Sequence, residues 1–66
     1  MQIVINGQSR CFDNVDNVQQ LLESLSLQNK RIAVECNGEI IPRSTFSSRI
    51  LTDGDQLEII VAVGGG

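Results

Sequence analysis

"DNVDNVQQLLESLSL", residues 13–27, is the one stretch of this chain whose apolar residues recur with the period of an α-helix. Val18, Leu21, Leu22 and Leu25 fall at i, i+3, i+4 and i+7, which is a single stripe on a helix surface. Asn17 is placed to cap the amino end, and Gln20 is placed to reach back as its capping-box partner. Asp16 competes for the cap position, while Glu23 and Ser24 fall on the side facing water. The spacing predicts a helix of about three turns, too short to persist alone, so its leucines must lie on a sheet.

The strands for that sheet stand on either side. Upstream, "MQIVI" (residues 1–5) alternates, with Met1, Ile3 and Ile5 on one face and Gln2 and Val4 on the other. Asn6-Gly7 follows, a pair that tolerates the positive φ of a tight hairpin, and the return strand is expected over about Ser9 to Phe12. Downstream, Ile32 to Cys36 reads as a third strand, turned by Asn37-Gly38 into the short "EII". Pro42 ends that segment, because it offers no N–H to a ladder and biases Ile41 towards extended backbone. Arg43 to Arg49 is polar apart from Phe46 and reads as a loop or single helical turn pinned by that ring. "TDGD" (Thr52 to Asp55) is a further turn, and "QLEIIVAV" (Gln56 to Val63) is the longest and most apolar strand, as befits one flanked on both sides.

One helix between two hairpins must pack across one face of a mixed sheet. The expected class is therefore α+β, a β-grasp with four to five strands, one helix, and the first and last strands side by side in the middle. Residues 1–63 form the expected domain, and 64–66 a flexible glycine tail.

Composition narrows what such a domain can do. At 66 residues it is a single domain, and one this small buries only ~60% of the surface its unfolded chain exposes. Phe12 and Phe46 are the only aromatics, and histidine, tryptophan and tyrosine are absent, which removes the commonest general base. No self-contained enzyme is expected, no catalytic residue and no metal site. The formal charge of −3 argues against a nucleic-acid partner and mildly favours a basic protein surface, although it also serves plain solubility. Cys11 and Cys36 sit in apolar, strand-like contexts and read as free, buried thiols in a reducing cytoplasm, with no histidine to activate either. Neither a membrane-spanning run nor a signal-peptide pattern is present, so the expected location is cytoplasmic with no membrane partner.

Two features bear on partners. With Leu57, Ile59, Val61 and Val63 turned to the helix, Ile60 and Ala62 point away beside Glu58, either as a docking patch or as ordinary scattered apolar surface. The second feature is the tail, Gly64, Gly65 and Gly66, joined to the last strand with no linker. Frayed ends tolerate glycine, but three extended residues reach ~10 Å, and a backbone without Cβ atoms can thread a narrow channel. What it would deliver is a carboxylate, a poor electrophile that needs activation. The nucleotide site and electrostatic clamps for that step, and a phosphate-binding glycine loop, are missing from this sequence.

Taken in order, "MQIVING", "LLESL", "NGEIIPRS", "DGDQLEIIVAV" and the terminal "GG" resemble the sulfur carrier proteins of thiamine biosynthesis, the ThiS family, across essentially the whole chain. The resemblance implies a ubiquitin-like fold. It implies that a ubiquitin-activating-enzyme-like protein adenylates Gly66 using ATP, this chain itself binding no cofactor. It also implies conversion to a thiocarboxylate with sulfur from a donor such as a cysteine desulfurase, and delivery to thiazole synthase. Gly65 matches the second tail glycine, Gly64 departs from the pattern, and Pro42-Arg43 matches a Pro-Arg pair typical of the family. For Arg43 a partner contact stands against a solvated arginine; for Pro42 a strand stop is the simpler account.

Three alternatives stay open on sequence. The small subunit of molybdopterin synthase also ends in Gly-Gly, though such chains tend to carry extra sequence between helix and final strand. A plain β-grasp interaction module would tolerate residues after Gly66, and a ubiquitin-like modifier would appear as conjugates on lysines.

Overall fold

The computed structural model of the chain describes residues 1–62. The expectations for Val63, Gly64, Gly65 and Gly66 lie outside the described residues. Seven elements follow in order: β1 (Gln2–Ile5), β2 (Gln8–Cys11), α1 (Val18–Ser24), β3 (Ile32–Cys36), β4 (Glu39–Ile41), a 3-10 turn (Arg43–Thr45) and β5 (Gln56–Val61). The strands form one five-stranded sheet in the order β2-β1-β5-β3-β4. β1 and β5 run parallel, and the other neighbours are antiparallel, so the sheet is mixed with β5 at its centre.

Both hairpins close over two residues, with Ile5 opposite Gln8 and Cys36 opposite Glu39. Their turn residues all have positive φ: 50° and 83° at Asn6 and Gly7, 54° and 84° at Asn37 and Gly38. That geometry matches the twist of the flanking strands, and Asn-Gly adopts it at least cost.

Asn17 caps the helix, its side chain accepting the Gln20 N–H at 2.8 Å. Gln20 does reach back, but its Oε1 takes the N–H of Asp16 at 2.6 Å, one residue earlier than the expected box partner. The helix is shorter than the apolar stripe predicts. Ser26 has φ of 61°, its N–H donates to the Glu23 carbonyl at 3.0 Å, and the Leu27 N–H donates to the Leu22 carbonyl at 2.8 Å. Those two bonds are a Schellman stop built on serine instead of glycine, and they leave Leu25 as the C-cap residue.

One core lies between helix and sheet. Val18, Leu21 and Leu22 meet Ile3, Ile5, Val34, Cys36, Leu57 and Ile59, with Phe12, Val15, Ile41, Phe46 and Leu51 closing its rim. Phe46 is buried as expected. Two expectations fail at the edges. Cys36 is a free buried thiol, but Cys11 is exposed, because β2 is an edge strand whose four residues are all exposed. Val61 keeps the alternation of the core face yet is 37% exposed, since β1 has ended at Ile5 and only β3 remains beside it.

Candidate functional site at the end of the central strand

β5 is the element that leads to the glycines, and it is fixed along its length by two asparagines. Asn37 sits at its start: the Gln56 N–H donates to Asn37 Oδ1 at 2.9 Å, and the Asn37 N–H donates to the Gln56 carbonyl at 2.7 Å. Asn6 sits near its end. The Ile59 N–H donates to Asn6 Oδ1 at 2.9 Å, and Asn6 Nδ2 donates to the Ile59 carbonyl at 3.2 Å. The carboxamide thus stands in for one more residue of β1 after the chain has turned away. Sequence reading assigns both asparagines only to their turns. Their side-chain role follows from pairing register, which no local pattern announces.

Past Ile59 the described partner of β5 is β3 alone. Ile60 lies opposite Ala33, Val61 opposite Ile32, and the Ala62 N–H donates to the Arg31 carbonyl at 2.9 Å. Ile60 is 61% exposed, and Ala33 and Ala62 are exposed beside it. Ile40, 74% exposed, is on the same face two strands away on β4, where its direct neighbour is Glu35, which lies opposite both Ile40 and Glu58. The outward position expected for Ile60 and Ala62 is therefore the observed one, and Ile40 is a member that the sequence reading missed. Alternation in the three residues of β4 could have signalled it.

Arg43 is exposed and ties two segments together, its Nη2 donating to the Lys30 carbonyl at 3.0 Å. Lys30 precedes Arg31, so this bond brings the 3-10 turn to the residues alongside Ala62. Arg43 thus lies at the same end of the sheet as the close of β5.

Little reaction chemistry is present around these residues. A hollow of about 270 Å³ lies between the two hairpin turns, lined by Val4, Glu35, Asn37, Gln56 and Glu58 among others. It lies towards the start of β5, away from Ala62. Among the described residues no group of three or more Cys, Asp or Glu side chains is placed to hold a metal ion. Burial pushes the Cys36 thiol above its ordinary value, against the opposing hydrogen bond from Arg49, so it is held as the neutral thiol. What the arrangement can do is hold β5 rigidly up to its last residues.

The sequence matches the ThiS family over residues 3–66. This chain belongs to the ThiS family. It is 33% identical to the sulfur carrier protein ThiS of Escherichia coli strain K12 over 66 residues, covering all of both chains. It is 42% identical over its full length to a thiazole synthase of Paramagnetospirillum magneticum, and spans 20% of that longer protein. A crystal structure of the ThiS protein from Geobacter metallireducens superposes with a TM-score of 0.82 at 35% identity, covering the whole of both chains. The fold is the ubiquitin-like β-grasp of that family. No helix among the described residues is long and apolar enough to cross a membrane.

Proposed function

We propose that this ThiS-family chain is a sulfur carrier for thiazole formation in thiamine biosynthesis, a protein cosubstrate without catalysis of its own. Its reacting group is the carboxylate of Gly66. A carboxylate oxygen attacks the α-phosphorus of ATP and pyrophosphate leaves, giving a mixed anhydride with AMP. Sulfide then attacks the carbonyl carbon and AMP departs with loss of a proton, leaving a thiocarboxylate; a persulfide donor gives instead an acyl disulfide, which a thiol reductant must cleave with two electrons. An adenylating protein of the ubiquitin-activating type carries out the first step, a donor such as a cysteine desulfurase supplies the sulfur, and thiazole synthase receives it.

The observation that carries this reading is the way β5 ends. It is pinned by β3, by β1 and by the Asn6 carboxamide up to Ile59, and only six residues separate Ile59 from Gly66. A side-chain-free arm on so fixed a strand is directed, and a directed arm limits the orientational entropy lost when a partner takes it. The names of the relatives support the pathway. The thiazole synthase that contains a stretch matching this whole chain supports thiazole synthase as recipient. The short connection between helix and final strand supports this reading over a molybdopterin synthase subunit.

Ile60, Ala62, Ile40 and Arg43 form the surface against which the adenylating protein docks. The test is an intact mass of the full chain after incubation with ATP, the adenylating protein of the same organism and sulfide. Exchange of one oxygen for sulfur at Gly66 is the expected result. An unchanged mass, with the adenylating protein active on another ThiS protein, would overturn the proposal.

A further inference from the structure

The charges of this chain are sorted along β5. Lys30, Arg31 and Arg43 are three of its five basic residues, and all three are exposed. They gather where β5 finishes, because the Arg31 carbonyl takes the Ala62 N–H and the Lys30 carbonyl takes the Arg43 guanidinium. The single ion pair found among the described residues joins Arg49 and Glu39, so none of the three is neutralised by a carboxylate within 4.0 Å.

The opposite pole is acidic. Asp53 accepts the Gln2 N–H at 2.6 Å at the start of the sheet, Asp55 folds back on Thr52, and the Asp16 carbonyl takes the Leu51 N–H. Asp13 follows Phe12, whose N–H donates to the Met1 carbonyl. Four carboxylates therefore collect where β5 begins, about 20 Å from its other end at the rise of an extended strand. Without the three cations the chain would hold two basic residues against eight acidic ones. The Met1 ammonium, Arg10 opposite Ile3 and Arg49, whose charge acts on Asp55, offset part of the negative charge at the acidic pole, which stays mildly acidic, whereas no ion pair among the described residues offsets the three cations where β5 finishes.

We propose that Lys30, Arg31 and Arg43 form a cationic collar at the root of the glycine arm, and that it docks on an acidic rim around the partner's arm-binding channel. Net charge alone would favour a basic partner; the distribution reverses that preference at this end. Complementary fields orient an encounter before contact, so the acidic pole is turned away as the collar is drawn in. The inference rests on the reading that residues after Ala62 enter a partner protein.

Lys30→Glu and Arg31→Glu test it, since neither side chain makes a hydrogen bond among the described residues. Arg10→Glu makes the same change in net charge from β2, outside the collar. Association of each full-length variant with the adenylating protein is followed by stopped flow, with circular dichroism confirming the fold. At low salt the two collar variants should associate roughly three- to tenfold more slowly, Arg10→Glu within about twofold of wild type, and the gap should close near ~0.5 M salt. Equal slowing by all three variants, no slowing, or faster association of the collar variants would overturn the collar. A wild-type chain that neither binds nor is adenylated would instead bring down the carrier reading, and the collar with it.

Discussion

Asn37 and Asp55 are joined across the start of β5, Asn37 Nδ2 donating to Asp55 Oδ1 at 3.0 Å. The same carboxylate accepts from the Thr52 N–H at 2.8 Å and the Thr52 hydroxyl at 3.1 Å. Partial burial opposes its ionisation, but these three bonds and the charge of Arg49 outweigh that, and its pKa falls below the ordinary 3.8. A carboxyl with a depressed folded-state pKa contributes stability that is present above its unfolded value and lost as pH falls through the folded one. Asp55→Asn should therefore be less stable than wild type at neutral pH, with the difference shrinking below about pH 4. Urea midpoints of both proteins across that range check it; a difference independent of pH would contradict this account of Asp55.

The two asparagine clamps make separable predictions. Asn6→Gly and Asn37→Gly both keep a residue suited to positive φ, so each hairpin closes while its side-chain bonds are lost. A net hydrogen bond is worth about 1 kcal/mol, so losing a pair should speed local amide exchange by roughly tenfold or more. Asn6→Gly should do this at Ile59 and spare Gln56, and Asn37→Gly should do the reverse. Exchange followed by NMR distinguishes them; uniform acceleration in both variants would mean that the clamps act only through global stability.

Much of this architecture is legible in the sequence because its signals are local. The i, i+3, i+4 stripe of Val18, Leu21 and Leu22 gave the helix, and Asn6-Gly7 and Asn37-Gly38 gave both hairpins with their register. The helix end is not legible, since the residue in left-handed backbone is Ser26, which carries none of glycine's signal. Cys11 reads as buried for a similar reason: alternation says which face a side chain takes, but not that the strand is at a sheet edge. The collar is less legible still. Lys30 and Arg43 lie far apart in the chain, and only the bond between them puts both at the end of β5. Of the candidate site, the outward turns of Ile60 and Ile40 follow from period two, whereas their shared face, with β3 between them, depends on strand order.

Ile60 carries the docking prediction. It is 61% exposed opposite the exposed Ala33, so its side chain adds little to the core. Ile60→Asp should leave the denaturation midpoint nearly unchanged. Removing an apolar contact and placing a carboxylate at the interface should weaken binding to the adenylating protein by about tenfold or more, the range for a central contact residue. Calorimetry gives the affinity directly, and wild-type affinity in a folded variant would take Ile60 out of the docking surface.

Gly66 carries the chemical prediction. It lies outside the described residues, and terminal glycines contribute little to stability. Deleting Gly66 should therefore leave the thermal unfolding curve in place, within about 1 °C, while abolishing formation of the adenylate and the thiocarboxylate. Extending the chain by one alanine beyond Gly66 should have the same pair of effects, because the carboxyl then belongs to a residue whose Cβ a narrow channel excludes. Unfolding by calorimetry and thiocarboxylate formation by intact mass are to be read on the same preparations. Loss of fold together with activity would make the arm structural, and undiminished thiocarboxylate formation in the extended chain would remove Gly66 as the reacting residue.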